Sequence, residues 1–260
     1  MLRPLGLRVE RFAPVIRKER LDKLLLEKGL VQSRERARAF IMEGKVVVEG
    51  KTIEKPGTEV DKEARVFLRQ EDYPYVSRGG MKLEGALNRF GIDPRGMVVM
   101  DVGASTGGFT DCILQRGARK VYAVDVGYGQ LAWKLRKNPQ VVNLERRNIR
   151  TLTQSEVGEK VDLILIDTSF ISVEKFLPHL LTFLKGKGSL LILIKPQFEV
   201  GKGEVGKGGV VKDPALHQKV IERLSAFSRD LGLRVLGVIE SPLRGPKGNK
   251  EFLIYLTKED

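Results

Sequence analysis

A chain of 260 residues with 42% hydrophobic content is long enough to bury one large core or two smaller ones, and it reads as globular rather than disordered. Lysine and arginine number 46 against 33 aspartates and glutamates, a formal balance of +13 that favours a polyanionic partner such as nucleic acid. The single cysteine, Cys112, excludes an internal disulfide framework, and with only His179 and His217 beside it no usual zinc ligand set can be assembled.

A reducing, cytoplasmic setting and no metal are therefore expected. The N-terminal stretch carries Arg3, Arg8 and Arg11, but Pro4, Gly6 and Pro14 interrupt any apolar core of signal-peptide length. The longest apolar run, Leu190 to Ile194, is far too short to span a bilayer, so no membrane partner is expected. Residues 1–18 lack periodicity and read as a basic arm that adds nonspecific RNA affinity.

From Arg20 the pattern becomes helical. Leu21, Leu24 and Leu25 share one face and Gly29 supplies a stop. Ser33 stands at an N-cap position before a basic amphipathic helix, Arg34 to Glu43, with Ala37, Phe40 and Ile41 on its apolar side. Val46–Val48, Thr52–Ile53 and Val66–Leu68 are short strand-like runs separated by turns. Two helices and a small sheet in this order, with the stretch SRERARAFIMEGKVVVEGK, resemble the S4-like RNA-binding domain, placed here over residues 19–69 with a linker at 70–76. The resemblance implies that Arg20, Arg34, Arg36, Arg38 and Lys45 face RNA phosphates, for which guanidinium and ammonium groups are suited.

Beyond Ser77 helices alternate with strands that are apolar on both faces: Met97–Val102, Lys120–Val126, Val161–Ile166 and Leu190–Ile194. Arg234–Glu240 and Phe252–Leu256 have no room for a crossover helix between them and should pair antiparallel. The α/β class follows, and a parallel sheet with this ending resembles the Rossmann-like methyltransferase fold, placed at 77–260.

The first of these strands runs into Gly103-Ala104-Ser105-Thr106-Gly107-Gly108-Phe109 and then a helix, a cradle for a small molecule by position. A dinucleotide fingerprint is weakened by Ser105 at its third position, and a phosphate loop by Phe109 where lysine belongs. Asp125, ending the next strand, suits a ribose diol. It decides little alone, but with the loop it favours S-adenosylmethionine. Asp101 and Val126 beside these residues, and Asn148 and Ile149 as adenine contacts, complete the expected cofactor set, to which Asp167 is added.

A ribose hydroxyl is a weak nucleophile until its proton is removed, and a lysine can serve as the base. Lys195 follows a buried strand and Asp167 ends its neighbour, where open α/β sheets hold their ligands. Lys82, in SRGGMKL, lies on the helix before the first strand, and Glu251 begins the last one. The segments SRGGMKL, DTSF, KPQFE and NKEFL resemble, in order, the Lys-Asp-Lys-Glu tetrad of FtsJ (RrmJ) class RNA 2′-O-methyltransferases. With the S4-like domain in front, the chain resembles the TlyA family of ribosomal RNA cytidine 2′-O-methyltransferases.

That resemblance implies S-adenosylmethionine as cofactor, ribosomal RNA as partner, and Lys195 as the group accepting or directing the hydroxyl proton while Asp167, Lys82 and Glu251 orient it. Lys82 would lower the lysine's pKa and the carboxylates raise it, so sequence leaves the net direction open. Two other classes compete: a catalytically silent RNA-binding module, and a membrane-lysing haemolysin, for which neither a spanning segment nor a suitable amphipathic helix is found. The repeat EVGKGEVGKGGVV at 199–211 brings Lys202 and Lys207 beside the site, either as an RNA-gripping lid or as a plain flexible connection. His217 is expected to be an exposed helix residue.

Overall fold

The structure, a computed structural model, describes residues 17–31, 33–69 and 74–258. Most of the expected basic arm, residues 70–73 of the expected linker and the side chain of Lys202 lie outside the described residues. The chain divides into two compact units, Met1–Asp72 and Tyr73–Asp260.

In the first unit a short strand, β1 (Lys18–Arg20), leads into helices α1 (Leu21–Glu27) and α2 (Arg34–Met42), followed by β2 (Val46–Val48), β3 (Lys51–Ile53), β4 (Glu59–Asp61) and β5 (Val66–Leu68). Strands β3, β2 and β5 form an antiparallel sheet in that order, and β1 pairs with β4. Lys18, expected in the arm, thus already belongs to a strand. Ser33 caps α2 as its side chain predicts, its Oγ accepting from the Arg36 amide at 3.2 Å. Leu21 and Leu25 from α1, Ala37 and Ile41 from α2, and Val46 and Val48 from β2 make the core. A fully buried leucine or isoleucine contributes about 1.5–3 kcal/mol.

One carboxylate is sealed into this unit. Asp22 has a fully buried side chain and receives Arg20 and Arg34, each at 3.0 Å. The hydrogen bond from Arg20, with the second from Arg34, holds the carboxyl down at about 2 against the opposing effect of burial. A carboxylate lowered on folding adds stability that is complete above its unfolded pKa and lost as pH falls through the folded one. Both arginines are partly exposed, so solvent screening leaves about 1–2 kcal/mol. Hydrogen exchange at the α1 amides should be faster in Asp22→Asn than in wild type near neutral pH, and the difference should shrink between about pH 4 and pH 2. A pH-independent difference would rule out the charge.

In the second unit α3 (Gly79–Phe90), β6 (Val98–Val102), α4 (Gly108–Gln115), β7 (Lys120–Asp125), α5 (Trp133–Arg136), β8 (Val141–Glu145), α6 (Gln154–Val157), β9 (Val161–Ile166), α7 (Leu177–Leu180), β10 (Leu184–Ile194), α8 (Pro196–Glu199), α9 (Pro214–Asp230), β11 (Leu233–Glu240) and β12 (Phe252–Lys258) follow in order. They build a seven-stranded sheet ordered β11-β12-β10-β9-β6-β7-β8. Five strands, β8 to β10 in that spatial order, are parallel; β12 inserts antiparallel between β10 and β11. The sheet reverses its strand order between β6 and β9, the crevice where ligands of open α/β folds bind.

Alternation along β6 sends Val98, Met100 and Val102 to one face, packed with α7 and α9, and Val99 to the other, packed with α3 and α4. The expected strands are all present, with β10 beginning earlier than its apolar run. His217 corrects its expectation. It is buried, its ring nitrogen Nε2 lies 2.9 Å from the Val211 carbonyl oxygen, and it packs on Phe252. One hydrogen bond to a buried backbone group lets a polar ring occupy an inward helix position.

Candidate active site

The carboxyl ends of β6, β7 and β9 enclose a cavity of about 430 Å³. Gly103, Ser105, Asp125, Val126, Asn148, Ile149 and Asp167 of the expected cofactor set line it. The loop is tied to the end of β7: Asp125 accepts from the Ser105 amide at 2.8 Å and also from the Gly127 amide at 2.7 Å. Each oxygen retains lone-pair capacity toward a ribose hydroxyl. Gly103, at φ +85°, has no room for a side chain, since a Cβ there would lie 2.5 Å from the Asp167 carbonyl oxygen.

Five expected contacts do not line the cavity. Asp101 turns by strand alternation onto the face covered by α4, where it is fully buried and accepts from Thr110 Oγ1 at 2.6 Å. Burial pushes its carboxyl up to about 7. Phe109 enters the core with Leu83 and Cys112, and Ala104 packs against Leu131 and Leu135. Gly107, the N-cap of α4, holds a left-handed φ of +92° that favours glycine, and it faces Leu131 and Leu135. Gly108 opens α4 beside Ser77.

Sequence reasoning missed Gln130, Arg147, Arg150 and Phe170 among the lining residues. Gln130 Oε1 accepts from Ser105 Oγ at 3.2 Å. The one signal for Phe170 is local: it holds a left-handed φ of 68° and is 89% exposed, an unusual state for an aromatic residue.

The tetrad assembles as two ion pairs. Lys195 is the N-cap of α8, and its Nζ lies 2.5 Å from Asp167 Oδ1 and donates to Ser169 Oγ at 3.0 Å. The Asp167 contact is a close charge pair outside hydrogen-bond geometry. Lys82 on α3 donates to Glu251 Oε2 at 2.5 Å with both side chains nearly sealed, 6% and 0% exposed. A second cavity of about 400 Å³ is lined by Lys195 and Glu251, together with Gln197, Phe198 and Asn249. It shares Ser169 and Phe170 with the first cavity. Lys82 lines neither, standing behind Glu251.

Of the cations expected to meet RNA, Arg38 and Lys207 are exposed. Arg20 and Arg34 are committed to Asp22 while remaining 43% and 45% exposed. Arg36 and Lys45 flank the Phe40 ring at 5.4 and 5.5 Å, and Lys45 also pairs with Glu43. The 199–211 segment contains a 3-10 turn at Lys202–Glu204 and a bridge between Gly206 and Val210, so it is more structured than a plain glycine linker. Among the described residues, no group of three or more His, Cys, Asp or Glu side chains is placed to hold a metal, and no helix is long and apolar enough to cross a membrane.

A Rossmann-like sheet, a carboxylate-tied loop at its switch point and a lysine-aspartate pair beside the cavity define an S-adenosylmethionine-dependent methyltransferase. The FtsJ-like methyltransferase family model matches residues 75–258 and the S4 domain model residues 19–66. The chain belongs to the FtsJ-like methyltransferase family, in its TlyA branch with an S4 domain in front. It is 46% identical over 241 residues to the 16S/23S rRNA (cytidine-2′-O)-methyltransferase TlyA of Mycobacterium tuberculosis, covering 92% of this chain and 90% of that one. Hemolysin A of Brachyspira hyodysenteriae is 37% identical, over 91% of this chain and 98% of its own. A solved structure of a hemolysin from Streptococcus thermophilus superposes with a TM-score of 0.73 at 43% identity, covering 95% of this chain and 90% of that one.

The residues present fit the cofactor. Apolar Val102, Val126 and Ile149 offer walls for an adenine ring, and Asp125 offers acceptors for its ribose. Asp125→Ala removes those acceptors and the bonds to the Ser105 and Gly127 amides. Charge-assisted hydrogen bonds contribute about 1.5–3 kcal/mol each, so cofactor affinity measured by calorimetry should fall about 10- to 100-fold. Unchanged affinity would remove Asp125 from the cofactor site.

Proposed function

We propose that the enzyme methylates the ribose 2′-hydroxyl of a cytidine in ribosomal RNA, working in the cytoplasm. The observation that carries this reading is the Lys195–Asp167 pair. It stands between the cofactor cavity, which Asp167 lines, and the second cavity, which Lys195 lines. A nucleoside seated in the second cavity brings its hydroxyl to the lysine and toward the cofactor. S-adenosylmethionine, when bound, supplies an electrophilic methyl group on a sulfonium.

In this reading Lys195 Nζ takes or directs the hydroxyl proton, and Asp167 with Ser169 fixes its direction. Glu251 faces the same cavity and Lys82 balances its charge. Arg38, Lys207 and the partly exposed Arg20 and Arg34 supply backbone attraction, with Arg36 and Lys45 beside Phe40. The names of the relatives support ribosomal RNA and cytidine as the target.

The test is incubation with tritiated S-adenosylmethionine and separated ribosomal subunits, with label mapped by a method sensitive to ribose methylation. Label on a cytidine ribose is the expected result. Cofactor binding without transfer to either subunit would move the substrate to another RNA. No cofactor binding would leave a silent RNA-binding module.

A further inference from the structure

The segment KPQFE ends in a glutamate for which the reaction as described has no use. Glu199 is buried, with its side chain 2% exposed, although it lies only four residues beyond Lys195. Its Oε1 accepts from the Val173 amide at 3.0 Å, and its Oε2 accepts from Ser172 Oγ at 2.7 Å and from Arg223 Nη2 at 3.0 Å. Arg223, on α9, also donates to the Glu199 carbonyl oxygen at 2.9 Å and pairs with Glu174.

These partners sit on separate elements. Ser172 and Val173 end the loop that begins with Asp167 at the tip of β9, whereas Glu199 closes the short helix that begins after Lys195 at the tip of β10. The two loops touch at three places: Lys195 against Asp167 and Ser169, Phe198 against Phe170 with ring centroids 4.9 Å apart, and Glu199 against Ser172 and Val173. The first two contacts are partly open to solvent; the third is buried and charge-assisted, the stronger kind.

We infer that Glu199 is a positioning residue, clamping the loop after β9 to the turn after β10 so that Lys195 is held in register with Asp167. The inference rests on the proposed methyl transfer for its kinetic consequence, but not for its structural one. Burying a carboxylate is costly unless its lone pairs are met, and here burial raises the carboxyl pKa against the pull of Val173, Ser172 and Arg223. That cost is hard to explain at a surface turn with no positional task. Displacing a reacting group by about 1 Å can cost about 100-fold in rate, which is the scale such a clamp controls.

Glu199→Gln keeps the volume but puts a donor group where acceptors are needed. In the full-length protein with ribosomal subunits it should lower kcat about 10- to 100-fold with the KM for RNA held within about threefold. The second readout needs no substrate. The 13Cε resonance of Lys195, assigned by its loss in Lys195→Arg, should shift and broaden in Glu199→Gln. Ser172→Ala removes one contact only and should move both readouts in the same direction by less, which covers a Glu199→Gln chain that does not fold. A folded variant with wild-type kcat and an unmoved Lys195 resonance overturns the inference. If the wild-type enzyme transfers no methyl group, the proposed function falls, while the resonance still decides the role of Glu199.

Discussion

Lys195→Met should reduce methyl transfer about 1000-fold while cofactor affinity stays within about threefold of wild type, because a positioned acid or base is worth about 100- to 10,000-fold. The separation follows from where the side chain lies. Lys195 lines the second cavity and not the first, and its ammonium touches Asp167 and Ser169. Methionine keeps the length and apolar stem without charge or proton. A residue needed for cofactor binding would lose affinity in calorimetry, and one needed only for RNA docking would raise KM with kcat intact. Activity retained within tenfold of wild type would leave Lys195 outside the chemistry.

The largest effect on stability should come from Lys82→Ala. Breaking a buried ion pair by removing one partner costs about 3–5 kcal/mol, because the remaining charge is uncompensated. Glu251 is 1% exposed, its Oε1 meets no donor among the described residues, and Gly245 stands so close that a Cβ there would lie 2.0 Å from that oxygen. Replacing both partners by Met and Leu, by contrast, should restore most of the loss, since apolar pairs often match or exceed buried ion pairs in stability. Denaturant unfolding of the wild type, the singles and the double gives the coupling. A restored but inactive double variant would assign the pair to function; a restored and active one would reduce it to a structural bridge.

The parts of the fold that the sequence made legible are those where one interaction dominates. Val161–Ile166 is apolar on both faces and has the bounds expected for a buried parallel strand. The edge strand β8 carries no clear signal, because every residue from Val141 to Glu145 is half-buried and Asn143 and Glu145 break the apolar run. Strands β1 and β4 have too few apolar side chains to announce themselves, and register with each other defines them.

Site residues divide the same way. Asp167, Lys195 and Glu251 are legible as motifs at strand ends and Lys82 as one on a helix, but their division into two pairs depends on distances between elements far apart in sequence. Sequence alone presents the cofactor loop as a run of glycines at a ligand. Gly107 faces Leu131 and Leu135, contacts that no local pattern encodes. Charge alone puts Asp101 at the cofactor, whereas the pleat of β6 decides where it points.

The hydrogen bond between Lys82 and Glu251 joins positions 169 residues apart. Glu251 reaches the site because β12 runs against its neighbours, so that this strand's beginning lies among the other strands' ends. Such closure is late in folding, since a long loop must be fixed before the contact rewards it. The cofactor cavity, made at the ends of β6, β7 and β9 from residues 102–171, needs no part of the final strand. During refolding, recovery of cofactor binding should therefore run ahead of recovery of turnover, with docking of the final strand as the interval between them.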